Sequence, residues 1–297
     1  MDVGHGDCTI IQLPDGKTAI IDGGEVGVSK KILQKYIAKR IGGRRAYFDY
    51  VINTHPHSDH LSGLVWLMQN YRYGTFINYQ NFDDYTVIAG VGYRIMLHAL
   101  NQSIPVGADV DEDQNANEIS PIITIETGAG VGAGSAGAVF VVTGDAGFST
   151  ELDFYQNSDT AREIFDGTKH DGRTVFLQIG HHGSQHSTGT NFLEFIRPDY
   201  AIIPMSATNN YGHPHKTVTD KLDFYGVKTL RTSDVGSIAW VDANTKNRGA
   251  VGVAGGGAMY IGFDNPPNLA PFWVLVLFLT VVLCFMDYHY ILWSKKF

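Results

Sequence analysis

VINTHPHSDHLSGL, residues 51–64, decides how the rest of the chain is read. An apolar, β-branched run ends at Asn53 and a helical run begins just after His60, so the segment is a strand-to-helix junction. Four ligand-type side chains crowd into its six central positions: His55, His57, Asp59 and His60. Pro56 biases His55 toward extended backbone, which lets His55 and His57 lie on one side of the turn and chelate one ion. Asp59 and His60 then face a neighbouring position. Imidazole nitrogen and carboxylate oxygen suit zinc, manganese or iron.

Two later runs share one design. AVFVVTGD (138–145) ends a strand with Gly144 and then Asp145, and VFLQIGHHGS (175–184) ends another with Gly180 and then His181. Each delivers a ligand-type side chain from the lip of a sheet, where glycine permits a sharp exit. Asp145 is the natural bridging carboxylate and His181 the best remaining imidazole for a second ion. His182 then points elsewhere and hydrogen-bonds substrate, although the order of the two histidines is open to reversal.

Composition narrows the alternatives. A chain of 297 residues with 44% hydrophobic content buries one large core or two modest ones. The two cysteines, Cys8 and Cys284, lie far apart, so neither a disulfide framework nor a cysteine-rich zinc site is available. Any metal falls to histidine and carboxylate. The net charge of −8 argues against a wholly basic nucleic-acid binder, but residues 30–45 (KKILQKYIAKRIGGRR) hold seven of the 22 basic residues and no acid. On a helix Lys31, Lys35 and Lys39 form one stripe and Ile32, Leu33, Tyr36 and Ile37 another, which reads as a solvated helix face or a phosphate-attracting patch.

Short β-branched runs of strand length recur at 9–13, 18–21, 50–53, 119–125, 138–142, 175–179, 201–203 and 237–241, with helical segments at 29–40, 61–70, 149–156, 191–196 and 215–225. This mixed order predicts an α/β domain with helices outside sheet. Pro14-Asp15-Gly16 predicts an opening hairpin. GAGVGAGSAG (128–137) leads into a strand instead of a helix, so it is a hairpin tip and not a dinucleotide loop. One catalytic domain over residues 1–262 is the simplest partition, followed by a linker at 263–268.

The ends carry further expectations. Residue 1 opens almost inside a strand, with no secretory signal ahead of it and an upstream piece suspected. Leu269 to Met286 is an 18-residue run without a charge, bounded by Asp287 and followed by Tyr288, Tyr290, Trp293, Lys295 and Lys296. That pattern predicts a single C-terminal membrane-anchor helix over 269–293 and a basic tail at 294–297.

HPHSDH at 55–60 resembles the signature of the metallo-β-lactamase superfamily. DVGHGD (2–7), IIDGG (20–24), TGD (143–145), GHHGS (180–184) and NNYGHPH (209–215), in that order, resemble the metal-hydrolase domain of ComEC-type DNA-uptake proteins. The resemblance implies an αββα sandwich with its site at one edge of the paired sheets, and hydrolysis of phosphodiesters. It also implies metal ligands at His55, His57, Asp59, His60, Asp145 and His181, a supporting role for Asp22, and an approach of His213 to substrate. Two departures stand out. The domain here precedes one apparent membrane span instead of lying among or after many. The superfamily's usual third histidine, between HPHSDH and TGD, has no clear counterpart: His98 falls in the interval, but its flanks read as a helix and the residue as structural.

The ligand set predicts a dinuclear metal-dependent hydrolase, with Asp59 and His213 as catalytic residues and His182, Ser184, His213 and His215 facing substrate. Two zinc or manganese ions sharing a water need no side-chain nucleophile. Ser184 lacks the flanks of a nucleophile elbow and reads as a hydrogen-bonding loop residue. His213 and His215, either side of Pro214, form a rigid loop to contact phosphate or protonate the leaving oxygen. Nucleic acid or another phosphodiester is the leading substrate class. The competing readings are a hydrolase of a small ester, lactone or β-lactam, and a membrane-tethered module that binds without catalysis.

Overall fold

The structure, a computed structural model, describes residues 1–81, 86–98, 116–128, 137–165, 172–242 and 257–261. Thr9–Gln12 (β1) and Thr18–Ile21 (β2) form the opening hairpin, paired from Thr9↔Ile21 to Gln12↔Thr18. Its turn closes through Gly16 N–H to Leu13 O (2.9 Å) and Leu13 N–H to Lys17 O (2.8 Å). Tyr47–Ile52 (β3) and Arg72–Ile77 (β4) then add in parallel, giving a four-stranded sheet in the order β1-β2-β3-β4.

A second sheet has seven strands: Thr86–Gly90 (β5), Tyr93–His98 (β6), Ile122–Thr127 (β7), Ala138–Val142 (β8), Thr174–Gln178 (β9), Tyr200–Ile203 (β10) and Lys228–Arg231 (β11). They lie in spatial order β11-β10-β9-β8-β7-β6-β5, antiparallel from β5 to β8 and parallel from β8 to β11. Ile238–Asp242 (β12) and Gly257–Ile261 (β13) make a separate two-stranded ribbon.

Three apolar clusters divide the domain into four layers. The alternation of a half-buried strand places Ala19, Ile21 and Ile52 against Ile95, Leu97, Ile123, Ile125 and Val142 of the facing sheet. On the outer side of the first sheet, Ile20, Phe48 and Val51 meet Leu33 of Val26–Tyr36 (α1) and Leu64 and Leu67 of Ser58–Asn70 (α2). These helix leucines are fully buried, each contributing about 1.5–3 kcal/mol. On the outer side of the second sheet, Val139, Val141, Val175, Leu177, Ala201 and Ile203 pack against Phe148–Asn157 (α3), Asp159–Phe165 (α4), Thr190–Ile196 (α5) and Lys216–Phe224 (α6). A last short helix, Thr232–Val235 (α7), leads toward β12.

Several elements differ from the reading of the sequence. The first helix starts at Val26, three residues early, and Ile37–Ile41 continues it as a π-helical turn that ends at left-handed Gly42. The run at 119–125 begins as a short 3₁₀ turn, Asn117–Ile119, before β7. β4 gives no apolar signal because four of its six residues are exposed. His98 closes strand β6 and is not helical. It stays structural, buried between Ser158 Oγ and Thr124 Oγ1, each 3.0 Å from a ring nitrogen. Residues 262–297, with the linker, the expected anchor helix and the basic tail, lie outside the described residues. Among the described residues no helix is long and apolar enough to cross a membrane.

Candidate metal centre

Every candidate ligand emerges at one rim. Parallel β2, β3, β8, β9 and β10 all end there, so Asp22, the 53–60 loop, Asp145, His181 and His182, and the loop to His213 follow their carboxyl ends. Antiparallel β1 and β7 start at the same rim, which brings in the residues just before them: His5 and Asp7 ahead of β1, Asn117 and Ser120 ahead of β7.

The HPHSDH loop hangs on Asp22. This buried residue has φ +52 and accepts from Asn53 Nδ2 (3.0 Å), Thr54 N (2.9 Å), Thr54 Oγ1 (2.7 Å) and His60 Nδ1 (2.8 Å). A carboxylate only accepts, so His60 carries its hydrogen on Nδ1 and turns the Nε2 lone pair inward. That Nε2 lies 3.1 Å from Asp145 Oδ1. The loop is also clamped by backbone. Gly63 N–H donates to Gly24 O (2.9 Å) and Gly23 N–H to His60 O (2.8 Å), and a Cβ on Gly63 would stand 2.0 Å from Gly23 O.

Asp145 sits at the centre, with each oxygen facing a different donor group. Oδ2 is 3.7 Å from His55 Nε2 and 3.6 Å from His181 Nε2, and His55, His57 and Asp145 form one set of mutually close ligand atoms. Oδ1 is 3.1 Å from His60 Nε2 and 3.8 Å from His182 Nε2, and His60, Asp145 and His182 form a second set. Asp59 Oδ2 adds to the second side, 3.2 Å from His182 Nε2 and 3.9 Å from His60 Nε2.

The structure brings both adjacent histidines to Asp145, with His182 the more deeply placed of the two. His182 is buried, donates Nδ1–H to Pro204 O (2.9 Å) and presents Nε2 to Asp59, His60 and Asp145. His181 lies at the mouth, its side chain 30% exposed. The sharp exit from β9 is not made by Gly180: His181 and His182 are themselves left-handed, with φ +48 and +53. Such backbone costs about 1–3 kcal/mol per residue and is held only where the surroundings fix it.

Charge in the rim is tightly balanced. Burial alone would drive Asp145 toward its neutral form, but His60, His182 and His55 outweigh it and hold the carboxyl well below its usual range. Burial also opposes charge on His182, yet Asp145, Asp59 and Asp7 raise it to about 9. His60 moves up for the same reason, against burial, under Asp145 and Asp22. Asp7, wholly buried, is pushed up to about 7 by desolvation, which the nearby histidines only partly offset. Buried carboxylates that draw protons onto two imidazoles are a site short of positive charge. Buried His60 Nε2 and Asp145 Oδ1, facing each other without a hydrogen bond, mark where that charge belongs. The donor set and its geometry fit divalent cations.

The remaining expected site residues are placed as follows. His213 is buried, with an unpartnered Nδ1 and its ring 5.5 Å from that of His181. Burial and the surrounding imidazoles lower it to about 3. His215 stands at the residue before α6 and accepts Gln185 N–H on Nδ1 (3.0 Å), tying two loops together. Ser184 is buried and its Oγ accepts His186 N–H (3.3 Å), inside its own loop.

Two residues without an assigned role in the sequence belong here. His5 joins Asp59 and His182 in a further close set, and Asp7 joins Asp22 and His60. Their signal was the DVGHGD motif itself, whose partners Asp59, His60 and His182 are more than 50 residues away. In the interval that lacks the third histidine, Ser120 Oγ approaches His55 Nδ1 (3.2 Å) and Asn117 Nδ2 approaches His181 Nδ1 (3.5 Å).

Comparison with known proteins shows what the chain is similar to. The chain is 25% identical to ComE operon protein 3 of Bacillus subtilis (strain 168) over 278 residues, covering 81% of this chain and 32% of that protein. It is also 25% identical to Recombination protein 2 of Haemophilus influenzae over 241 residues, 80% of this chain and 28% of that one. The chain thus spans less than a third of the length of these relatives. Among solved structures, CmlA, a diiron β-hydroxylase from Streptomyces venezuelae, superposes with a TM-score of 0.45 at 13% identity, covering 77% of this chain and 51% of that one. Residues 1–206 match the family model described as the Metallo-beta-lactamase superfamily. The chain belongs to the Metallo-beta-lactamase superfamily, as a relative of ComEC-type competence proteins.

Proposed function

We propose that the chain is a phosphodiesterase that works with a pair of zinc or manganese ions, and that nuclease action is its form. One observation carries the reading: Asp145 offers each of its oxygens to a separate donor group, His55 and His57 on one side and His60 and His182 on the other. In this reading His55, His57 and Asp145 hold one ion, and Asp59, His60, His182 and Asp145 the other. Bound there, the pair supplies Lewis-acid charge that makes a water acidic and neutralises phosphoryl oxygens.

The protein's own groups do the positioning. Asp22 fixes the tautomer of His60 and Pro204 O that of His182, so both imidazoles are oriented in advance. His213 is neutral at pH 7 and meets a phosphate oxygen by hydrogen bonding. His5 closes the side next to Asp59. Ser184 and His215 hold the 181–186 loop by accepting from His186 N–H and Gln185 N–H.

The preference for a phosphodiester draws on charge. α1 starts one residue after Glu25, beside the Gly24 N–H that donates to Asp7 O (2.7 Å). Lys30 follows within about one turn, roughly 6 Å along the axis, and Lys31, Lys35, Lys39, Arg40, Arg44 and Arg45 continue outward, all exposed. A basic track that begins at the metal rim suits a polyanion. One relative is named for recombination, a process of nucleic acid. An anchor at 269–293 is part of the proposal and would hold the domain at a membrane.

The test is a substrate panel with manganese or zinc: labelled single- and double-stranded DNA, RNA, bis(p-nitrophenyl) phosphate, nitrocefin and a lactone. Phosphodiester cleavage that is lost on chelation is expected. Turnover of the lactam or lactone, with no phosphodiester cleaved under either metal, overturns the reading. Sedimentation with phospholipid vesicles, full chain against a chain ending at residue 262, tests the anchor.

A further inference from the structure

Three rings stand nearly parallel at the mouth. His5 and Tyr211 have centroids 5.3 Å apart at 15°, His5 and His213 5.8 Å at 27°, and Tyr211 and His213 5.7 Å at 25°. Tyr211 is the outermost, 68% exposed. It stands two ring contacts from the metal rim, since His5 lies 4.3 Å from His182 in turn.

A single exposed aromatic is ordinary on a protein surface. This one is held in place. Asn209 Oδ1 accepts both Tyr211 N–H (3.2 Å) and His213 N–H (3.0 Å), and Asn209 Nδ2 donates to His213 O (2.8 Å). One side chain thus fixes the backbone on both sides of Gly212, which takes φ +73. Buried His213 and half-buried His5 back the tyrosine ring on the protein side. A ring whose backbone is fixed and whose far side is open gives contact area at low entropic cost.

We infer that Tyr211 is a stacking platform for an unpaired nucleobase next to the phosphate held at the metal rim. The inference rests on the phosphodiesterase reading and deepens it. A base read on its face is read without regard to its edge, so the platform selects for a strand with its bases unpaired and not for a sequence. A paired base inside a duplex has no free face to offer. The cleaved strand is therefore single-stranded at the rim, and Tyr211 sets that preference while the metal ligands set the chemistry.

The experiment uses the full metal-loaded chain, with the DNA made resistant to cutting by phosphorothioate linkages. The probe is a short single-stranded DNA carrying 2-aminopurine, whose fluorescence falls on stacking. Wild type and Tyr211→Phe should quench it with similar affinity. Tyr211→Ala should bind it about five- to hundredfold more weakly and lose the quenching, while the same DNA with an abasic site in place of the probed base should bind both proteins alike. Equal quenching by wild type and Tyr211→Ala, or no quenching by wild type, overturns the inference. Absence of phosphodiester cleavage in the metal-loaded panel instead overturns the reading beneath it, so the two failures are told apart. Retained helical circular dichroism in Tyr211→Ala shows that any loss is local, as the exposure of the ring predicts.

Discussion

At the scale of the residue, the proposed ligand set turns on the orientation of two neighbouring histidines. His182 is inward and fixed by Pro204 O, whereas His181 is at the mouth and meets only one oxygen of Asp145. His182→Ala should therefore reduce bound metal from two ions per chain to about one. His181→Ala should leave two bound and weaken turnover instead. Elemental analysis of the two purified variants after dialysis against manganese or zinc decides the matter, and the reverse pattern refutes the proposed ligand set. Asp145 would not separate the sites in this way, because it faces both donor groups.

At the scale of the element, the site depends on how closely α2 docks onto the turn after β2. Gly23 and Gly63 touch backbone to backbone, with Gly63 N–H donating to Gly24 O (2.9 Å). A Cβ at Gly63, only 2.0 Å from Gly23 O, forces the helix away from that turn and carries Asp59 and His60 with it. Gly63→Ala should cost about 1–3 kcal/mol of stability, the usual range for overpacking. It should also weaken metal binding, read by chemical denaturation and calorimetric titration of one preparation. Unchanged stability and metal affinity would show that the contact is not tight.

The strands of this rim were legible because their cores are β-branched and uninterrupted, as in β2, β8 and β9. β4 and β6 were not. β4 exposes most of its length, and β6 presents Met96 and Leu97 beside His98, a composition equally at home in a helix. What makes β6 a strand is its ladder of antiparallel partners, from Tyr93↔Thr127 to His98↔Ile122. Such pairing is non-local, and propensity does not record it.

At the scale of the whole molecule, His98 links β7 to the turn between α3 and α4 through Thr124 and Ser158. Burial, with a smaller effect from Arg94, lowers its pKa to about 4 from an ordinary 6.5. The folded state thus resists protonation that the unfolded chain accepts. Its contribution is fully present above pH 6.5 and lost as pH falls from 6.5 to 4, by up to roughly 3 kcal/mol. His98→Gln should flatten the decline in unfolding free energy across that window, measured by denaturant titration of the metal-free protein at a series of pH values. A slope equal to that of wild type would show that other groups govern acid unfolding.

The family of the chain and the outline of its fold were already decided by the sequence, because strand-to-helix junctions are local and HPHSDH, TGD and GHHGS each end an apolar run. Which histidine of the 181–182 pair turns inward, and that His5 and Asp7 reach the same rim, was decided only by tertiary structure. Two consecutive left-handed residues break the alternation by which neighbouring side chains are assigned to faces. The opening hairpin was legible from its turn, but that its first residues meet Asp59, His60 and His182 is a contact across more than 50 positions, which no local pattern records.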